Sequence, residues 1–199
     1  MKASTDRTKN TKGGKAGKRK NNNKNVKIKV NVKGKPAKRS ARQISFTIGL
    51  IVMPLVVGVM SALVTGSAMM NYGGLKQPPL APSMWIFPLI WTVLYISMGV
   101  ASYLIYKREA RDKNDAELQK AEIIVYFVQL FFNFMWTILF FRLEMRWLAF
   151  GWLVVMWCMI IALITMCARN CKSAAWCLVP YLLWCTFAMY LNIMIVILN

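Results

Sequence analysis

The sequence predicts an all-α integral membrane protein, a bundle of five transmembrane helices. Three observations predict it. The chain has 199 residues and 57% of them are hydrophobic, too apolar for an ordinary soluble domain. Beyond residue 42 it breaks into five uncharged runs, 43–75, 77–106, 123–141, 147–168 and 173–199. Each is long enough to supply the roughly 20 apolar residues that a helix needs to cross a hydrocarbon core. None alternates with period two, as the strands of a membrane barrel would. Helices are therefore expected near 44–66, 84–106, 123–141, 147–167 and 174–197, within a membrane domain spanning 43–199.

Residues 1–42 stand apart. They hold 16 Lys and Arg against Asp6 alone, and are otherwise rich in Asn and Gly. Such a segment buries too little apolar surface to offset ordering its backbone, so a disordered basic tail is expected. Its charged stretch is too long for a secretory signal, and it is Lys- and Asn-rich where a mitochondrial transit peptide is Arg- and Ser-rich. The segment VKIKVNVK at 26–33 alternates like a strand but has nothing obvious to pair with. Contact with anionic lipid, at about 1 kcal/mol per lysine near the surface, is one role, and a passive solvated extension is another. Nucleic acid is a poor partner, because neither interleaved aromatics nor a folded motif is present.

Helix one carries Gly58, Ala62 and Gly66 at spacing four, the small-residue row that lets membrane helices approach closely. It serves either packing within the chain or the seam of a homodimer. The next segment, NYGGLKQPPLAPSMWIFPLIWTVLYISMGVASYLIY at 71–106, is the one around which the chain is organised. Pro78, Pro79 and Pro82 cannot donate backbone hydrogen bonds, so the loop is read as a stiff lid. From Met84 the pattern turns helical. Pro88, Trp91, Tyr95, Gly99 and Ser102 recur at steps of three and four and share one face. That face is a wall for a flat molecule or a partner helix.

Segment 107–122 mixes charges and reads as an aqueous loop. Helix three contains QLFFNFMWTILFF at 129–141, with Gln129, Asn133 and Trp136 on one face. Amides at membrane depth need partners. Interhelical bonding is the plain role for Asn133 and ligand contact the sharper one. Helix four carries Trp147, Trp152 and Trp157, with Trp147 at the interface. Helix five contains PYLLWCTFAMYLN at 180–192, where Trp184 and Ala188 set a large aromatic beside a gap on one face.

These three motifs, in this order, resemble the translocator protein family, also called tryptophan-rich sensory proteins or peripheral benzodiazepine receptors. The resemblance covers about 50–199, and is closest in helices two and five. In the lid Asn71, Gln77, Leu80 and Ser83 depart from the family pattern. The resemblance implies a membrane receptor or sensor that binds porphyrin-type tetrapyrroles such as protoporphyrin in a helix-lined pocket beneath the 67–83 loop. Ligand-binding candidates by position are Tyr72, Pro82 and Trp85 near the lid, Trp91 and Tyr95 on helix two, Asn133 and Trp136 on helix three, and Tyr181, Trp184 and Ala188 on helix five. Some family members promote light-dependent porphyrin breakdown, and Trp91, Trp136 and Trp184 are the candidate electron donors. A carrier of porphyrin or sterol, and a membrane scaffold with a lipid-binding tail, are the alternatives. The proposed sterol motif needs a basic residue after its tyrosine, and none follows Tyr190.

Chemistry is bounded by what is missing. The five runs contain no Asp, Glu, Lys or Arg, and the chain has no His. That disfavours ion-coupled transport, proton relays and acid–base hydrolysis. It also removes the commonest axial ligand of haem. No cofactor or metal is expected. Cys158, Cys167, Cys171, Cys177 and Cys185 form no C-x-x-C pair and read as buried, reduced packing residues. Lys and Arg on the amino-terminal side number 23, against three on the other. The positive-inside rule then puts the amino-terminus in the cytoplasm, with a bacterial plasma membrane favoured over a mitochondrial outer membrane.

Overall fold

The computed structural model describes residues 41–199, apart from the side chains of residues 41–43, 70 and 71. Residues 1–40 of the expected disordered tail, with the 26–33 segment, lie outside the described residues, and Ala41 and Arg42 open the first helix instead. Five long helices follow in order: α1 (Ala41–Gly73), α2 (Ile86–Lys107), α3 (Lys113–Thr137), α4 (Arg146–Asn170) and α5 (Lys172–Leu198). A π-helical turn, Ile138–Arg142, continues α3. All five helices are long and apolar enough to cross a membrane. They close a ring in the order α1, α2, α5, α4, α3, each packing on its neighbours.

Two expected boundaries move. Helix one runs to Gly73, so the lid is 74–85 and not 67–83. The first seven residues of the expected loop are apolar or small enough to extend the helix. The segment 107–122 is a loop only over 108–112, and 113–122 form the first turns of α3. Asp112 caps α3 by accepting a hydrogen bond from the Asp115 backbone N–H at 2.8 Å, so the helix starts ten residues before 123. The Arg108 guanidinium reaches Asp115 at 2.6 Å and Glu122 at 3.1 Å. Both carboxylates are buried. Gln119 donates to the carbonyl oxygens of Ile105 and Arg108, satisfying groups left open at the end of α2. The end of the bundle opposite the lid is thereby sealed by polar pairs.

The α1–α2 crossing rests on two glycines. A Cβ on Gly99 would stand 2.5 Å from the Ile51 carbonyl oxygen, and one on Gly58 would stand 2.5 Å from the Tyr95 ring. Ser102 Oγ donates to Leu50 O at 3.0 Å across the same contact. Gly58 thus serves packing within the chain, whereas a Cβ on Gly66 would meet nothing within 4 Å. The cysteines divide. Cys167 and Cys185 are buried, Cys171 and Cys177 half-buried, and Cys158 is exposed, against the expectation that all five pack inside.

The lid folds over the ends of α1, α2 and α5. Asn199 grips the Lys76 backbone on both sides, accepting from its N–H at 3.0 Å and donating to its carbonyl at 3.2 Å. Tyr190 donates its hydroxyl to Pro79 O at 2.8 Å, and the Gln77 amide donates to Tyr72 O. Leu80 takes a positive φ of 70° at the lid's tip, where it is exposed.

Candidate functional site

Beneath the lid, in that half of the bundle, lies a cavity of about 340 Å³. Four of the five helices wall it, and α4 contributes nothing. From α1 come the small and apolar residues Leu55, Gly58, Ala62 and Met69, with Ser61, Thr65 and Tyr72. Helix α2 adds Phe87, Trp91 and Tyr95, the end of α3 adds Trp136, and the π turn adds Phe140 and Phe141. Helix α5 presents Trp184, Ala188, Leu191 and Asn192, which recur at steps of four, three and one and therefore share a face.

The walls are rings in contact. Trp91 stacks on Tyr95 with centroids 5.5 Å apart and lies 6.2 Å from Trp136. Trp136 stacks on Phe140 at 5.5 Å, and Trp184 meets Phe87 edge-on at 6.0 Å. No lining residue carries a charge. Such a space can hold a flat, uncharged body by offset stacking and burial. Its polar lining groups are the hydroxyls of Ser61, Thr65, Tyr72, Thr92, Tyr95 and Thr137, the Asn192 amide and the indoles of its tryptophans. Among the described residues no cluster of His, Cys, Asp or Glu could hold a metal ion.

Six of the ten residues expected to contact a ligand line this cavity: Tyr72, Trp91, Tyr95, Trp136, Trp184 and Ala188. The other four stand elsewhere. Trp85 points outward and is 69% exposed, because it precedes the first turn of α2 on the outer side of the bundle. Pro82 sits half-buried in the lid, away from the wall. Asn133 and Tyr181 lie behind the wall, in the core. Tyr95 donates its hydroxyl to Asn133 Oδ1 at 2.8 Å, and the Asn133 amide donates to the Tyr181 hydroxyl at 3.2 Å. Asn133 therefore ties α2, α3 and α5 together, with both amide atoms satisfied.

Phe140, Phe141, Thr65 and Asn192 were absent from the expected set. The two phenylalanines enter through the π turn, whose wider winding shifts them out of the helical register that a 3.6-residue period supplies. Asn192 carried a readable signal, since it continues the Trp184–Ala188 row by one further turn.

A helix bundle of membrane-spanning length, built around an uncharged aromatic cavity under a proline-rich lid, defines an integral membrane protein with an interior cavity. The chain belongs to the TspO/MBR family, whose model matches residues 50–198. It is 34% identical to the tryptophan-rich protein TspO of Chlorobaculum tepidum over 128 residues, 64% of this chain and 78% of that protein. It is 30% identical to the TspO of Archaeoglobus fulgidus over 150 residues, 75% of this chain and 94% of that protein. The translocator protein of Ovis aries is 32% identical over 146 residues, 73% of this chain and 85% of that protein. The chain is thus a membrane protein of the sensory and translocator protein family.

Proposed function

We propose that the protein is a membrane receptor for porphyrin-type tetrapyrroles, with protoporphyrin as the ligand and the cavity beneath the lid as its site. The observation that carries this reading is the cavity itself: 340 Å³, uncharged and walled by three tryptophans. That volume lies towards the lower end of the ~300–1,000 Å³ of small-molecule sites, so a macrocycle enters edge-on. The rest of the ring leaves between α1 and α2, where the lining residues Val59, Ala62, Pro88 and Thr92 are exposed. Burial of an apolar ring against these walls supplies the affinity, at about 25 cal/mol per Å² of apolar surface removed from water.

The test is titration of the protein in lipid nanodiscs with protoporphyrin, followed by tryptophan quenching. Ala188→Phe fills the gap beside Trp184 and is expected to weaken binding by about tenfold or more, since overpacking typically costs about 1–3 kcal/mol. Saturable quenching that is unchanged in Ala188→Phe would place the ligand elsewhere. A finer reading is light-driven breakdown, in which Trp91, Trp136 or Trp184 reduces the excited ring and dioxygen is the terminal oxidant. Carriage of porphyrin or sterol across the membrane would require the polar pairs around Arg108 to open, and ligand flux in liposomes distinguishes it.

The positive-inside count supports a cytoplasmic amino-terminus in a bacterial plasma membrane, with residues 1–42 held against anionic lipid and the bundle paired as a homodimer. Efficient labelling of a cysteine at position 3 from outside intact cells would refute that orientation.

A further inference from the structure

The tip of the lid carries an apolar side chain where its backbone calls for glycine. The Ala81 N–H donates to Pro78 O at 3.1 Å, closing a four-residue turn over 78–81. Pro79 stands second, the place that suits proline's fixed φ. Leu80 stands third, with a φ of 70°. That is the pattern of a type II turn, whose third position takes glycine or asparagine because other side chains are strained at positive φ. Such strain persists only where surrounding contacts hold the residue in place. Leu80 finds few of them within the molecule. It is 81% exposed, more than any other large apolar side chain among the described residues. The Pro79 carbonyl beside it is held by Tyr190, so the backbone of the tip is fixed while the leucine side chain projects outward.

The surface that adjoins the tip says what covers it. Beyond Lys76 the chain carries no charge until Lys107. Trp85, Leu89, Val93, Ile96 and Val100 recur at steps of four and three and are all exposed. They form one apolar stripe down the outer face of α2, a helix of membrane-spanning length. Met84 and Trp85, both exposed, join the tip to the head of that stripe. Trp147 is exposed at the second residue of α4, which starts at the same end of the bundle. Tryptophans at the ends of spanning helices sit at the headgroup level of a bilayer. We propose that Leu80 and Trp85 seat the lid on the membrane, with Leu80 inserted among the lipid chains just beneath the headgroups of the leaflet on the lid side, and that this contact holds the lid closed. The partner is lipid, because the uncharged surface runs without a break into the lipid-facing stripe of α2. Burial of a leucine side chain in lipid outweighs the strain of one left-handed residue, whereas in water asparagine or glycine would serve the turn better. The proposal rests on the chain spanning a membrane, and not on what the cavity binds.

Two measurements on the full chain in nanodiscs of phosphatidylcholine and phosphatidylglycerol test it. In the first, a leucine analogue bearing a photoreactive diazirine is placed at position 80, and in separate samples at position 93, on the lipid-facing stripe, and at position 109, in the charged turn after α2. Lipid adducts are counted by mass spectrometry. Position 80 is expected to give yields near those at 93 and well above those at 109. Yields no higher than at 109, or adducts to a second copy of the chain in place of lipid, overturn the proposal. In the second, hydrogen exchange of the lid, residues 74–85, is compared between the wild-type protein and Leu80→Asn. The turn by itself prefers asparagine, so a lid held only by the protein would exchange no faster in the variant. A lid seated in lipid loses its seat and exchanges about fivefold to tenfold faster, the worth of a buried leucine side chain less the strain that asparagine relieves. Unchanged or slower exchange overturns the proposal. Should Leu80→Asn not fold, the adduct yields from position 80 decide.

Discussion

The α1–α2 crossing offers a sharp test, because the structure says how much room is missing. In Gly99→Ala the new methyl carbon would stand 2.5 Å from the Ile51 carbonyl oxygen, and 3.2 and 3.3 Å from two further backbone atoms. Ordinary contact begins near 3.4 Å, so α1 must retreat by about 0.9 Å, and the obstacle is backbone that cannot rotate away. Such overpacking costs about 1–3 kcal/mol. The retreat also stretches the Ser102–Leu50 hydrogen bond, worth about 0.6 kcal/mol for an interhelical pair in a membrane. Alanine's better helix propensity returns at most about 1 kcal/mol. The net expectation is a loss of about 1–2 kcal/mol. Gly151→Ala is the control, since a Cβ there meets nothing within 4 Å and only the propensity gain remains. Unfolding from mixed micelles into SDS, read by tryptophan fluorescence, measures both. If Gly99→Ala proves as stable as Gly151→Ala, the crossing is looser than described and the argument from glycine contact is wrong.

Two further outcomes are expected. Trp184→Phe keeps most of the stacking area, so protoporphyrin affinity should fall by less than about tenfold, roughly 1.4 kcal/mol, while any light-driven loss of porphyrin absorbance should fall much further; equal effects on both would remove Trp184 as an electron donor. Arg108→Met leaves the fully buried Glu122 without its guanidinium and should cost about 3–5 kcal/mol, much of it recovered in the Arg108→Met, Glu122→Leu double variant; an SDS unfolding series in which the single variant is no less stable than the double one would contradict a buried pair.

The bundle was legible in the sequence because lipid imposes one simple demand, that a spanning segment be long, apolar and internally hydrogen-bonded. What escaped were the places where that demand is silent. The extension of α1 to Gly73 crosses residues that suit helix and loop alike. The early start of α3 depends on Asp112 as a cap and on Arg108 drawing Asp115 and Glu122 inward, a three-body arrangement that local composition does not display. Charge suggested water, and pairing overruled it only for Asp115 and Glu122.

The site divides along the same line. Trp91, Tyr95, Trp184 and Ala188 were readable because each lies on a regular helix whose period fixes its face. Asn133 looked equally functional by that rule, and the structure gives both of its amide atoms to Tyr95 and Tyr181 instead. Asn192, read from the sequence as one more position of the helix-five motif, has both amide atoms without a partner among the described residues. Two asparagines at membrane depth thus carry the same desolvation cost, and Asn133 alone of the two meets it with partners among the described residues. Sequence spacing can bring an amide to the interior, but only the neighbours decide whether it is already spent.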